Sequence, residues 1–276
     1  MTTGEGLNPG DGWSALRAPA VVTIIGGGIG GLAMANALQR VGIGFDLYEQ
    51  APELTEVGAG IGLSKGALGL LDALGLGEEI RTRGTAVQQV ILADKQLNIR
   101  RKLPTEHGGI CIHRAALIDI LSSRLPRDQI HLSTKVTDVR SSTGHAEIVF
   151  DDGTTRSSAC MVAADGLHSV ARSRLFPEIE IRYIDQTIWR GIARVDVPDL
   201  LLNSYIEIWD DGLRFLTVPT GESIFWLAVK PAPPGGRDDP ATVKDSLLET
   251  FKGFHPVLKD LIRNTGSILR HDMADL

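Results

Sequence analysis

The sequence is poor in features that mark several classes of protein. It has two cysteines, Cys111 and Cys160, in 276 residues. Both stand among apolar residues, and we expect buried, reduced thiols, not a disulfide, a metal pair or a nucleophile. No apolar run approaches the roughly 18 residues that span a bilayer, and the first residues lack the charged and apolar regions of a signal peptide. We therefore expect a cytoplasmic protein with no membrane partner.

Positive charge is also scarce. The 28 Lys and Arg residues are outnumbered by 34 Asp and Glu, and they are scattered along the chain. This distribution gives no basic surface for nucleic acid, so we expect no polynucleotide partner. We also expect no metal site. The chain is long and apolar enough for one large or two moderate domains. Residues 1–18 are rich in glycine and polar groups, and we expect a flexible leader.

Glycine, in contrast, is abundant, and one cluster of it has a specific arrangement. The apolar run Val21–Ile25 leads into Gly26, Gly28 and Gly31, and a small-residue helix then leads to a second strand that ends in Glu49. This order is the βαβ unit that binds dinucleotides, with its glycines at the turn, at the diphosphate and at the helix packing contact. Glu49 stands near the offset of roughly 20 residues expected for the acid that accepts from a ribose hydroxyl.

The same carboxylate limits which dinucleotide can bind. A phosphate on the ribose would be repelled by Glu49, so the motif predicts the adenosine of NAD or FAD and not that of NADP.

The rest of the chain alternates between helical and strand patterns. Extended runs at Val87–Leu92 and Leu97–Leu103 predict a hairpin, and apolar spacing predicts a helix over about Arg114–Leu125. From Ile181 onward, amphipathic strands predict a second, antiparallel sheet. Residues 241–264 have a helical pattern that we expect to be interrupted near Pro256.

Three segments carry a family resemblance. They are IIGGGIGGLAMANAL with Glu49, EVGAGIGLSKGALGLLDALGL and CMVAADGLHSVAR. In their order and spacing they resemble the FAD-dependent aromatic hydroxylases, which are single-component flavoprotein monooxygenases of the para-hydroxybenzoate hydroxylase type. The third segment is the most specific, because Asp165, Gly166, Ser169 and Arg172 fall in register with the DG motif of that family.

The resemblance implies an α/β fold with a Rossmann-like FAD-binding domain and a second domain built on a mostly antiparallel sheet. It implies that residues 19–85 and 105–178 form a discontinuous FAD-binding domain, and that residues 86–104 and 179–276 form the substrate domain. Family members continue into a further flavin-binding segment, typically with the motif GDAAH, whereas this sequence stops at RHDMADL. We therefore expect a truncated form that retains FAD weakly.

The resemblance also implies where FAD binds. Arg114 would reach the phosphate and ribityl region, Val136 would lie by the adenine through its backbone, and Asp165 would touch the ribityl chain and be tied to NAD(P)H use. The implied FAD-binding residues are Gly26, Gly28, Ile29, Gly30, Gly31, Glu49, Gln50, Gly60, Arg114, Val136, Asp165 and Gly166.

Several of these residues have other interpretations. Arg114 could be a surface residue at the start of its helix, and Asp165 a turn or cap residue. Arg172 could form a surface salt bridge or contact the nicotinamide cofactor, and His168 reads as a solvated loop residue.

The chemistry implied is that of the cofactor. NADH or NADPH would reduce FAD, and the reduced flavin would capture O₂ as a hydroperoxide and hydroxylate a small aromatic or heteroaromatic molecule. No protein nucleophile is needed, so we assign no catalytic residue. An epoxidase or reductase of the same superfamily, and a non-catalytic FAD- or NAD-binding module, are the alternatives, in a monomer or a homodimer.

By region alone, the second sheet offers Trp189, Arg190, Phe215 and Trp226 as contacts for the substrate. Aromatic residues on alternating strands are also the usual content of a core, and an arginine beside a strand glycine is usually at the surface.

Overall fold

A computed structural model describes residues 21–55 and 59–276, without the side chains of residues 104–108. The predicted leader and Gly58 lie outside the described residues. In chain order the elements are β1 (Val22–Ile25), α1 (Ile29–Arg40), β2 (Phe45–Tyr48), β3 (Gly60–Leu63), α2 (Lys65–Ala73), α3 (Gly77–Arg83), β4 (Thr85–Ala93), β5 (Ile99–His113), α4 (Arg114–Ser123), β6 (Ile130–His131), β7 (Val136–Ser142), β8 (His145–Phe150), β9 (Thr155–Ser158), β10 (Met161–Ala163), α5 (Val170–Leu175), β11 (Arg182–Ala193), α6 (Asp199–Leu202), β12 (Ser204–Asp210), β13 (Leu213–Thr220), β14 (Ser223–Pro231), α7 (Val243–Thr250), α8 (Pro256–Arg263) and β15 (Leu269–Asp275).

The described residues form two compact units. The first unit contains the chain up to Leu54 together with Arg124–Ile179, and the second contains Thr55–Ser123 together with Glu180–Leu276. These bounds differ from the predicted domains at β3, α2, α3, α4 and the part of β5 after residue 104, which we expected in the FAD-binding domain. The strands group with the second unit because β3 pairs with β5 and β5 pairs with β4 in its sheet. The assignment of cofactor and substrate to domains stays a prediction.

The first unit is built on a parallel four-stranded sheet with the order β10-β1-β2-β6. All four residues of β1 are buried, as expected for a central strand of a parallel sheet. A separate antiparallel sheet, β7-β8-β9, packs beside it through a cluster that includes Ile25, Tyr48 and Phe150. Strands β6 and β7 are separate because Ser133 between them has a φ of +51°, which breaks the extended chain.

The second unit is built on an eight-stranded sheet with the order β15-β11-β14-β13-β12-β4-β5-β3. The predicted hairpin is present as the antiparallel pair of β4 and β5. The sheet is antiparallel as predicted, except that β12 and β4 run parallel.

Helices α7 and α8 cover one face of this sheet. The predicted interruption is confirmed, since Pro256 is the first residue of α8 and His255 caps that helix through the Val257 N–H. Proline is tolerated at this position because the first N–H of a helix has no intrahelical partner. Phe251, directly after α7, and Leu258 of α8 pack with Trp226 in the core of the second unit.

Candidate functional site

Two glycines of the predicted phosphate loop are required by the backbone geometry. Gly26 has a φ of +101°, and a Cβ there would lie 2.3 Å from the Ala164 carbonyl oxygen. A Cβ on Gly31, in the first turn of α1, would lie 1.9 Å from the Gly26 carbonyl oxygen. Both contacts are too short for any side chain. The chain can therefore pass from β1 into α1 by this path only with glycine at both positions.

Gly28 has a different surrounding. A Cβ on it would meet no atom within 4 Å, and it caps α1 without a side-chain hydrogen bond. The N–H groups of Ile29 and Gly30, in the first turn of α1, precede the regular hydrogen bonds of the helix. An open space at the positive end of a helix dipole suits a diphosphate. The residues at this helix start fit the diphosphate of FAD.

Glu49 lies beside the same loop. Its Oε2 accepts a hydrogen bond of 2.6 Å from the Gly27 N–H, and its Oε1 accepts one of 2.8 Å from the Ala51 N–H. The Glu49 N–H donates to the His131 carbonyl, and its own carbonyl accepts from the Thr134 N–H, each at 2.9 Å. A carboxylate has about four acceptor positions, so both oxygens retain capacity for ribose hydroxyls.

The loop between β10 and α5, residues 164–169 and here called the DG loop, is hydrogen-bonded to α5. Asp165 accepts from the Ala171 N–H at 3.2 Å, and Gly166 has a φ of +79°. The Arg172 guanidinium donates to the carbonyls of Gly166, at 3.4 Å, and Leu167. Arg172 therefore fixes the DG loop, a role that neither sequence interpretation foresaw. His168 is exposed, as expected for a solvated loop residue.

The parallel sheet brings the glycine loop and the DG loop together. Ile25 pairs with Ala163, and the Ala164 N–H donates to the Ile25 carbonyl at 2.8 Å. Gly26 and Asp165 thus follow the carboxyl ends of adjacent parallel strands, where α/β folds place ligands. A cleft of about 280 Å³ beside the DG loop is lined by Ala163, Asp165, Gly166, Ser169, Ala171, Arg172, Leu175 and Phe176.

Sequence reasoning missed a polar network that supports the strand leading to Glu49. Asp46 bonds His131 at 2.8 Å and also Arg156, and Arg156 donates to the Tyr48 hydroxyl at 2.6 Å. The Tyr48 ring stacks on His131 with centroids 4.7 Å apart. Burial raises the pKa of the Tyr48 phenol, although the charge of Arg156 opposes the rise. The sequence indicated only that Asp46 and Tyr48 share one side of β2, because side chains two residues apart on a strand point to the same face.

Two further predicted contacts belong to the first unit. Gln50 is exposed directly after Glu49, and the Val136 side chain is buried at the start of β7. The predicted contact of Val136 runs through its backbone and stays a prediction.

Gly60 and Arg114 belong to the second unit. A Cβ on Gly60 would lie 3.0 Å from atoms of Phe225, so the missing side chain allows close packing on that ring. Arg114 is half-buried at the start of α4, and its N–H donates to the Ala59 carbonyl at 2.9 Å. Their roles toward the cofactor stay predictions.

Three of the four proposed substrate contacts are corrected by the structure. Phe215 and Trp226 have no exposed surface and stack at 5.5 Å in the core. The Trp226 indole N–H donates to the Thr265 hydroxyl at 2.8 Å, and that of the buried Trp189 donates to Asp238 at 2.6 Å. Strand alternation places these rings on the face covered by α7 and α8, where a substrate has no access.

Arg190, the fourth, lies on the opposite side of the sheet, here called the second face. Its Nη2 lies 2.9 Å from His271 Nε2. Also on this face, Arg214 donates to Glu207 at 2.5 Å and its guanidinium lies 4.2 Å from the centroid of the Trp209 ring. Sequence reasoning missed the partly buried side chains that pack on this face against a buried cluster containing Val218 and Phe225. They are Ile192, Tyr205, Leu216 and Leu227.

Across residues 21–55 and 59–276, none of the helices has the length and apolar character needed to cross a bilayer. In those same ranges, no three or more His, Cys, Asp and Glu residues are grouped so as to hold a metal ion.

The chain is similar to characterised flavoproteins over most of its length. A family model described as FAD binding domain matches residues 19–209. Aurachin C monooxygenase/isomerase of Stigmatella aurantiaca is 34% identical over 271 residues, which are 94% of this chain and 70% of that protein. FAD-dependent urate hydroxylase of Klebsiella pneumoniae is 26% identical over 91% of this chain and 69% of its own length. The structure of Klebsiella pneumoniae HpxO with FAD and uric acid has a TM-score of 0.81, at 24% identity, and the match covers 92% of this chain and 68% of that one.

Proposed function

The chain belongs to the FAD binding domain family, whose members similar to it are FAD-dependent monooxygenases, and from that premise we propose that it hydroxylates a small aromatic or heteroaromatic molecule. The resemblance to the aromatic hydroxylases and the predicted α/β fold are confirmed. So is the prediction that the chain is an FAD-dependent enzyme.

The observation that carries the proposal is the open space at Gly28, which lies between Gly26 and Gly31, two positions where no Cβ fits. The N–H groups at the start of α1 would bind the diphosphate, and Glu49 would accept from hydroxyls of the adenosine ribose. A carboxylate in this place disfavours a ribose phosphate, which supports FAD over an NADP-like ligand at this site.

When bound and reduced, FAD supplies oxygen activation, with NADH or NADPH as the electron donor in this proposal. The chain's own part is to hold the substrate and to keep water away from it. The partly buried apolar side chains on the second face of the large sheet suit an aromatic ring. Asp165 and Gly166 stay predicted contacts of the cofactor.

The proposal is tested with Gly28→Ala. The added methyl group meets no protein atom within 4 Å, and Gly28 has φ −74° and ψ −175°, which alanine adopts readily. The variant should therefore fold normally but lose at least tenfold in FAD affinity, because the methyl group enters the space reserved for the diphosphate. FAD retained after desalting, and oxygen uptake with NADH or NADPH and a series of phenols and heteroaromatic compounds, are the measurements.

Gly69→Ala is the matched control, since a Cβ on this glycine of α2 also meets nothing within 4 Å. It should bind FAD as the unmodified protein does. Equal FAD binding by Gly28→Ala would remove the proposed diphosphate site. Oxygen uptake that no aromatic compound stimulates would count against hydroxylation.

A further inference from the structure

An extra residue, Ser133, interrupts the ladder that holds the main chain of Glu49. The Glu49 N–H donates to the His131 carbonyl, and the Thr134 N–H donates to the Glu49 carbonyl, each at 2.9 Å. In a regular parallel ladder, the two partners of one residue stand two positions apart on the neighbouring strand, whereas these stand three apart. The segment after β6 therefore contains a bulge.

The backbone of Ser133 identifies it as the extra residue. Its φ of +51° lies in the left-handed region, which residues other than glycine rarely adopt. The residue is exposed, so packing of its side chain does not explain this conformation. The Thr134 hydroxyl donates to the Leu132 carbonyl at 3.0 Å and closes the turn around it. The conformation of Ser133 therefore serves the main chain.

The main chain of Ser133 is connected to the Glu49 carboxylate through Ala51. The Ser133 N–H donates to the Ala51 carbonyl at 3.0 Å, and the Ala51 N–H donates to Glu49 Oε1 at 2.8 Å. The other carboxylate oxygen, Oε2, accepts from the Gly27 N–H at 2.6 Å. A chain of hydrogen bonds thus runs from Ser133 to the carboxylate beside the phosphate loop.

This arrangement gives the bulge a reason. A regular ladder would leave the Ala51 carbonyl without the Ser133 N–H, and the Ala51 N–H that fixes Glu49 Oε1 would lose its own support. Bulges are frequent where a strand must aim a side chain at a functional site. A left-handed residue other than glycine persists only where its surroundings require that conformation. Here the requirement is the orientation of Ala51, and through it that of the carboxylate.

We propose that Ser133 is a positioning residue for the cofactor, and that its left-handed conformation aims the Glu49 carboxylate, through Ala51, at the ribose hydroxyls of the FAD adenosine. The inference rests on the proposed function and adds to it a residue that acts through Glu49. Ser133 is assigned no contact with FAD of its own. The effect of changing it should therefore depend on whether Glu49 is present.

Calorimetric titration of the protein with FAD tests this dependence in a double-mutant cycle. Ser133→Val should bind FAD about fivefold more weakly, because a β-branched residue resists a positive φ and the hydrogen bonds of a charged group are partly lost. Ser133→Thr should lose affinity too, although it keeps the hydroxyl, whereas Ser133→Gly should bind as the unmodified protein does. Glu49→Gln should bind about tenfold more weakly or worse. Added to Glu49→Gln, Ser133→Val should cause no further loss, since both changes remove the same contact.

Asp185→Val is the matched control. Asp185 is also exposed, has a φ of +58° and lies where the register between β11 and β15 shifts, but it belongs to none of the predicted cofactor contacts. Urea unfolding should show a similar loss of stability, with FAD affinity unchanged. Unchanged affinity in both Ser133→Val and Ser133→Thr, or an equal loss with and without Glu49, would overturn the positioning role alone. Unchanged affinity in Glu49→Gln would also contradict the ribose contact of the proposed function.

Discussion

At the scale of single residues, the glycines of the phosphate loop divide into those that the fold needs and those that a ligand needs. Gly26 and Gly31 have no room for a Cβ, whereas Gly28 and Gly30 have room. The motif predicted this division for three of them, with Gly26 at the turn, Gly28 at the diphosphate and Gly31 at the helix packing contact. The structure adds the groups that enforce it, the carbonyls of Gly26 and Ala164, whose positions no spacing rule gives.

Gly31→Ala should destabilise the protein without FAD by about 1–3 kcal/mol or more, because its Cβ would lie 1.9 Å from the Gly26 carbonyl oxygen. Gly30→Ala, whose Cβ would be 3.9 Å from the nearest atom, the Ala164 Cβ, should be neutral or slightly stabilising in the same helix. Urea unfolding of both variants checks this. Equal destabilisation would show that the loop relaxes around the added methyl group.

The two cysteines form a second contrast. Both were expected to be buried, but only Cys111 is; Cys160 is exposed, in the turn before β10. Apolar neighbours in sequence did not reveal this, because Cys160 precedes a strand instead of lying within it.

Burial raises the pKa of the Cys111 thiol to about 12. Since the thiolate is the reactive form, iodoacetamide at pH 8 should modify Cys160 and leave Cys111 unmodified in the folded protein. Mass spectrometry should find one modified cysteine in native conditions and two in guanidinium chloride. Fast modification of Cys111 in the native protein would contradict its burial.

At the scale of elements, the sequence predicted well what depends on neighbours in the chain. The strand, glycine turn and helix around Gly28, the β4–β5 hairpin and the break at Pro256 were all readable from local patterns. The assignment of Trp189, Phe215 and Trp226 failed because alternation separates two faces of a strand without saying which face the helices cover.

The polar network on β2 was unreadable for a related reason, since Asp46 is 85 residues from His131 and 110 from Arg156. Arg156→Met removes two hydrogen bonds from this strand and should cost about 1–2 kcal/mol, the side chain being partly exposed. It should also weaken FAD retention, because Glu49 is the next residue after β2. Urea unfolding and FAD titration are the measurements.

Arg140→Met on β7 is the comparison for this prediction. Arg140 pairs with Glu147 at 3.1 Å, and its side chain is 62% exposed, so its loss should change stability by less than about 0.5 kcal/mol. An equally small effect of Arg156→Met would show that the network on β2 contributes little.

At the scale of the whole molecule, each unit is made of two separated stretches of chain. The chain passes between the units after Leu54, after Ser123 and after Ile179. The predicted FAD contacts are distributed over both units, with Gly28 and Glu49 in the first and Gly60 and Arg114 in the second. The sequence predicted a discontinuous arrangement through the resemblance, whereas the exact bounds depend on β3 and β5, whose pairing partners are distant in the chain.

Because FAD is expected to bind only the folded chain, it should stabilise the protein in proportion to the logarithm of its concentration, by about 2.7 kcal/mol at a hundred times its dissociation constant. FMN has a single phosphate and no adenosine for Glu49, so it should give a much smaller rise in the midpoint of thermal unfolding at the same concentration. Calorimetric scans with each flavin, on the unmodified protein and on Gly28→Ala, measure this. Equal shifts with FAD and FMN would mean that the glycine loop and Glu49 do not contribute to binding. A shift with FAD alone that disappears in Gly28→Ala would locate the stabilising contacts at the start of α1.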